Sequence, residues 1–221
     1  MILAQRVIRK LIFEGYNVRN TIHCVKNLSS LGMGSKKALV VVANGSEEIE
    51  SVTPIDVLRR AGVQVTVAGL GDSTPKICSR DVIVGVEMSL MDANGSCPYD
   101  AILLPGGLKG AEAFVESEEL GEMLREQDKA GRLVASICAG PTALKKHGIG
   151  LGKSITSYPG VKDKLLEGNL YTYKEDRVVV DGNVITSRGP GTALEWSLAI
   201  VENLVGKEKA DQVGKAMLLK D

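Results

Sequence analysis

A chain of 221 residues that is 44% hydrophobic but only 4% aromatic is long enough to bury one core of aliphatic side chains. Its 27 basic and 27 acidic residues cancel, leaving no footprint for sequence-specific nucleic-acid binding, and no run of 18 apolar residues offers a membrane span. Four cysteines (Cys24, Cys78, Cys97, Cys138) without a CxxC pair, and two histidines (His23, His147) without ligand spacing, argue against a metal site and a disulfide framework, and for a reducing, cytoplasmic setting.

Residues 1–34 are set apart by charge: five basic side chains stand against one acidic, +4, while the remainder carries 22 basic and 26 acidic, −4. Ile2, Val7, Leu11 and Ile12 among Arg6, Arg9 and Lys10 resemble a mitochondrial presequence, though the start is poor in serine. A disordered extension, or translation from Met33, would explain the same composition. The expected organisation is an extension over 1–34 and a single domain over 35–221.

From Ser35 onward the pattern alternates between strand and helix. Ala38 to Ala43 reads as a continuous apolar strand, and Asn44-Gly45-Ser46 as a turn in which Ser46 caps a helix opening with Glu47 and Glu48. Pro54 predicts a break, with Thr53 capping a second segment to Arg60. Val63–Ala68, Val82–Val84, Ala101–Leu104 and Leu133–Ile137 are further strands. Leu120, Met123, Leu124 and Gln127 follow helical spacing between Ser117 and Gly131. Val178–Val180 and Val184–Thr186 flank Asp181-Gly182 as a hairpin. Thr192 and Glu195 form a capping box for a helix with Leu194, Leu198, Val201 and Val205 on one face.

Strands alternating with helices predict an α/β fold with a mostly parallel sheet covered on both faces. Ligand sites in such sheets lie beyond the C-terminal strand ends. Four turns fall on that edge: Asn44–Glu50, Pro105-Gly106-Gly107, Cys138-Ala139-Gly140 and Ser157-Tyr158-Pro159. No GxGxxG follows the first strand, so no dinucleotide site is expected. Cys138 is the candidate nucleophile. It follows Leu133–Ile137 and precedes Ala139-Gly140-Pro141, a strand, sharp turn and helix start. Backbone N–H groups and the helix dipole would favour a thiolate there. The other reading is a small buried cysteine closing a core strand.

Four segments together resemble the ThiJ/PfpI superfamily, and within it the parkinsonism-associated protein deglycase branch. They are Ala38–Glu50, Leu104–Gly107, Ala135–Leu144 and Thr186–Thr192, and the resemblance covers Ser35 to Asp221. It implies a flavodoxin-like sandwich, a homodimer and no cofactor. It matches Cys138 to the family's oxidation-prone nucleophile and Glu50 to the carboxyl that hydrogen-bonds it. Gly107 and Ala139 match backbone oxyanion donors, and Arg60 and Arg80 match arginines near the dimer-side mouth, although both read equally well as solvated surface charges. Tyr158 stands where the branch often has histidine, and a tyrosine, with an ordinary pKa of about 10, is a poor general base. His147, about two and a half helical turns past Cys138, is too far to substitute. The implied activity acts on small reactive carbonyls such as methylglyoxal and on their early adducts on protein side chains or nucleotides, releasing a hydroxy acid such as lactate. The alternative is a redox sensor and chaperone in which Cys138 oxidises to sulfinate. A cysteine peptidase lacks the histidine that it needs.

Overall fold

The protein is described as a computed structural model covering residues 35–96 and 98–219. The basic segment 1–34, with its presequence reading, and Cys97 lie outside the described residues. The strands are β1 (Lys37–Val42), β2 (Gln64–Gly69), β3 (Lys76–Ile77), β4 (Ile83–Val84), β5 (Met88–Ser89), β6 (Ala101–Leu104), β7 (Leu133–Ile137), β8 (Ser154–Ile155), β9 (Thr172–Tyr173), β10 (Val178–Asp181) and β11 (Val184–Ser187). The helices are α1 (Glu48–Arg60), α2 (Leu90–Asn94), α3 (Leu108–Glu116), α4 (Glu118–Lys129), α5 (Pro141–His147), α6 (Lys162–Leu166), α7 (Ala193–Val205) and α8 (Lys207–Ala216).

A seven-stranded sheet runs in the order β10-β11-β7-β6-β1-β2-β5. Its pairs are parallel except β10 with β11, the hairpin expected around Asp181-Gly182. Successive side chains of a strand point to opposite faces, and here both faces are covered. Val40, Val42, Leu103, Ala135 and Ile137 pack with Val57 and Leu58 of α1, with Trp196, Ile200 and Val201 of α7 and with Val213 of α8. Leu39, Val41, Ile102, Leu104 and Val134 pack with Phe114 of α3, Leu120 and Leu124 of α4 and Leu144 of α5. This is the flavodoxin-like sandwich, and it brings the C-terminal ends of β1, β6, β7 and β11 to one edge.

Several local readings are corrected. Pro54 does not divide α1, because the buried face of the helix runs through Ser51, Pro54, Val57 and Leu58. A proline removes one backbone donor but keeps a helical φ, and burial of its ring on the core side offsets the loss. Glu47, not Ser46, caps α1, and Ser46 Oγ instead accepts the Ala43 N–H at 3.0 Å. Val82–Val84 is no strand of the main sheet: β4 pairs antiparallel with β3 in a separate two-stranded hairpin. Thr192 forms no capping box with Glu195, whose carboxylate binds Arg177 at 2.9 Å. Thr192 Oγ1 accepts the Gly189 N–H at 3.1 Å and meets Ser187 Oγ at 2.6 Å, securing the turn after β11. The buried face of α7 is Ala193, Trp196, Ser197, Ile200 and Val201, rotated from the expected stripe.

That rotation sets an expected contrast in stability. Trp196 is fully buried, whereas Leu194 is 37% exposed. Trp196→Ala should cost about 3–5 kcal/mol by urea unfolding. Leu194→Ala should cost no more than about 1 kcal/mol. Equal losses would contradict the assigned face.

Candidate active site

The edge chemistry begins where β7 stops. Cys138 adopts φ 62°, a left-handed conformation that costs a non-glycine residue about 1–2 kcal/mol. Backbone bonds hold it there. The Cys138 N–H donates to Ser187 O at 3.0 Å, the Tyr158 N–H donates to Cys138 O at 2.9 Å, and the Gly140 N–H donates to Ile137 O at 2.9 Å. Pro141 then starts α5 at a position where a missing N–H is harmless. The sulfur is thereby turned out of the sheet into a cleft that Gly107 and Ala139 also line, and their backbone N–H groups favour its anion.

Glu50 comes from the first turn of α1 and is fully buried. Glu47 caps that turn, its Oε2 accepting the Glu50 N–H at 2.8 Å. The Glu50 carboxyl reaches the loop after β6, where Oε2 accepts the Gly106 N–H at 2.7 Å. Oε1 is buried without a partner among the described residues. The Glu47 N–H donates in return to Gly106 O at 3.1 Å. Only glycine fits at 106: a Cβ there would stand 2.6 Å from Cys138 Cβ, 2.7 Å from Glu50 Oε2 and 2.9 Å from the Ala139 nitrogen. Gly107 takes φ 82°, and a Cβ on it would meet Gly45 O at 2.2 Å.

Burial raises the Glu50 carboxyl to about 7; the Gly106 N–H opposes the shift and the Glu47 carboxylate adds to it. Burial, reinforced by the negative charge of an ionised Glu50, also holds the Cys138 thiol up, at about 12. The Gly107 and Ala139 N–H groups pull it down, but less strongly. This reverses the direction expected from the helix start alone, because the sulfur is largely removed from water and stands beside the Glu50 carboxyl. The two groups form one coupled system. When Glu50 keeps its proton, the repulsion vanishes and its O–H becomes a further donor to sulfur. Cys78, also buried, is raised to about 11 by burial and by Glu48 and Glu47.

A cleft of about 680 Å³ opens over the sulfur, lined by Cys138, Ala139, Gly107, Glu47, Arg80 and Tyr158 among others. Of the residues singled out in the sequence, Cys138, Glu50, Gly107 and Ala139 thus converge, with Tyr158 and Arg80 on the cleft wall. Tyr158 is 48% exposed. Arg80 donates its backbone N–H to Glu48 and its guanidinium to Ser79 O at 3.0 Å. Arg60 does not join them. It lies in the last turn of α1, about 15 Å along the axis from Glu50, and pairs with Asp56 at 2.9 Å. Two contributors went unassigned in the sequence: Gly106, whose partner is the Glu50 side chain, and Glu47. The Gly-Gly doublet and the run Glu47-Glu48-Ile49-Glu50 were the available signals. Among the described residues no cluster of histidine, cysteine, aspartate or glutamate could hold a metal ion, and no helix is long and apolar enough to cross a membrane.

The family model described as DJ-1/PfpI matches residues 36–203. The chain belongs to the DJ-1/PfpI family. It is 53% identical over 189 residues to the zebrafish (Danio rerio) Parkinson disease protein 7 homolog, covering 86% of this chain and all of that one. It is 41% identical over 185 residues to the Caenorhabditis elegans glutathione-independent glyoxalase DJR-1.2, covering 83% and 97%. The crystal structure of Drosophila melanogaster DJ-1beta superposes with a TM-score of 0.80 at 51% identity, covering 83% of this chain and 98% of that one.

In this DJ-1/PfpI site the raised Glu50 has a stability consequence of definite sign. A carboxyl whose folded pKa is above its unfolded value of 4.5 stabilises the fold fully below pH 4.5. That contribution is lost as pH rises to about 7. The span corresponds to on the order of 3 kcal/mol. Glu50→Gln cannot ionise, so its stability relative to the parent should rise between pH 4.5 and 7.5 and then level off. A difference independent of pH, by thermal unfolding across that range, would contradict the raised value.

Proposed function

We propose that the protein is a cofactor-independent cysteine enzyme acting on methylglyoxal and its early adducts on side chains or nucleotides, with Cys138 as nucleophile and Glu50 as proton carrier. The observation that carries this reading is the convergence of a nucleophilic sulfur, two N–H donors and a carboxyl titrating near neutrality at one buried point. A carrier with a pKa near the working pH can both take and return a proton. As carboxylate, Glu50 takes the Cys138 proton while sulfur adds to the aldehyde carbon. It returns that proton to the alkoxide, giving a hemithioacetal. Glu50 then removes the proton on the former aldehyde carbon to give an enediolate and delivers it to the neighbouring carbon, while the hydroxyl proton of the former aldehyde carbon passes to the neighbouring oxygen, leaving a lactoyl thioester. Water hydrolyses the thioester to lactate and restores the thiol. The Gly107 and Ala139 N–H groups stabilise charge on sulfur and on the adduct oxygen. The glyoxalase name of the C. elegans relative supports the reaction class.

The second reading is redox sensing by the same sulfur. It draws support from the unpartnered Glu50 Oε1, since a protonated carboxyl there has a donor to offer a sulfinate oxygen. Peroxide would carry Cys138 to sulfenic and then sulfinic acid, each step consuming one peroxide and releasing water. Cytoplasmic residence and a chaperone role belong to this proposal.

Turnover of methylglyoxal to lactate distinguishes the roles. Cys138→Ser and Glu50→Gln should each lower kcat/KM by at least about 100-fold. Tyr158→Phe should lose no more than about tenfold, because its hydroxyl can only orient or polarise the substrate. An inactive Tyr158→Phe beside an active Glu50→Gln would reassign the proton carrier. We also propose a homodimer, docked through the outer face of α1, where Ile49 and Val52 are exposed beside the site. Ile55, expected on the same face, packs partly into the core. Sedimentation at micromolar concentration should give twice the 23.5 kDa chain mass. A species of one chain mass would contradict the dimer.

A further inference from the structure

Glu47 closes a ring around the site. Its N–H donates to Gly106 O at 3.1 Å, the Gly106 N–H donates to Glu50 Oε2 at 2.7 Å, and the Glu50 N–H donates to Glu47 Oε2 at 2.8 Å. The Glu47 residue also lines the cleft beside Cys138. Capping alone does not call for glutamate. Serine, threonine, asparagine and aspartate are the preferred N-caps. A neutral cap would satisfy the same N–H without adding charge. What glutamate adds is a negative charge one helical turn from the buried Glu50.

We propose that Glu47 is a positioning residue for the Cys138–Glu50 pair: its ring of hydrogen bonds fixes the Glu50 carboxyl over Gly106 and sets a second carboxylate one helical turn from it. This rests on the reading of Glu50 as proton carrier. Two titratable groups act on Glu50, namely Glu47 on its own helix and Cys138 from the elbow. The loops at Gly106 and Gly189 approach it with backbone, and the Arg188 guanidinium beside Gly189 is turned to Glu175. Burial and the neighbouring Glu48 charge raise the Glu47 carboxyl in turn, while the Glu50 N–H that it accepts and the Arg80 guanidinium favour its ionised form. Cys78 lies on the same wall and feels the Glu47 charge. The site is therefore tuned by a second carboxyl that never touches the sulfur.

The test is the titration of Glu50 followed by NMR in the full chain labelled with 13C at glutamate Cδ, with Glu50→Gln identifying the signal. Glu47→Gln keeps an oxygen that can accept the Glu50 N–H but removes the charge. It should move the Glu50 midpoint down by about half a pH unit or more. Glu47→Asp keeps both a charge and a preferred cap, and should hold the midpoint within about 0.2 unit of the parent. A midpoint unchanged in Glu47→Gln, or one that falls as far in Glu47→Asp, overturns the proposal. The titration is read without turnover, so a protein inactive on methylglyoxal would refute the proposed reaction and leave this result standing.

Discussion

The hydrogen bond from the Gly106 N–H to Glu50 Oε2, 2.7 Å long and wholly buried, ties the first turn of α1 to the loop after β6, directly beneath the Cys138 elbow. The Gly106 N–H on one oxygen and the Cys138 side chain nearby are too little to offset the loss of water around a buried carboxylate. Glu50 therefore holds its proton to near neutrality. Everything else at the site is arranged around that shortfall. Position 106 must be glycine, because any side chain would displace the Cys138 Cβ, the Glu50 carboxyl or the Ala139 nitrogen.

The sheet supplies the framework that such a bond needs. Parallel strands present their C-terminal ends together, so residues from β1, β6, β7 and β11, far apart in sequence, meet without long loops. The left-handed conformation of Cys138 is sustained by its backbone bonds to Ser187 and Tyr158, and by the Gly140 N–H bond to Ile137 O, rather than by its own preference. Thr192, bound to Ser187 and Gly189, fixes the last of these turns. A rigid edge is what holds side by side a thiol and a carboxyl that burial disfavours as anions.

The alternation of apolar runs and helical stripes was enough to locate β1, β6, β7, α4 and the terminal hairpin, because buried parallel strands read as unbroken aliphatic runs. The elbow was equally legible, since Ile137-Cys138-Ala139-Gly140-Pro141 leaves the chain no way to continue as strand. Burial was not. The sequence could report a helix start behind Cys138 but not the loss of water around its sulfur, and so the shift of the thiol was expected in the wrong direction. Pro54 and Thr192 misled for a related reason. Each was read from local preference, whereas tertiary packing of the α1 face and the Ser187–Thr192 contact decided the outcome. Arg60 was placed by resemblance, and in the chain itself it pairs with Asp56 away from the cleft.

The protonation of Glu50 can be seen directly. Neutron diffraction from deuterium-exchanged crystals at pH 6, below the value of about 7 that burial imposes, should show a deuteron on the Glu50 carboxyl, with the Gly106 N–D directed at its other oxygen. A bare Glu50 carboxylate at that pH would contradict the account.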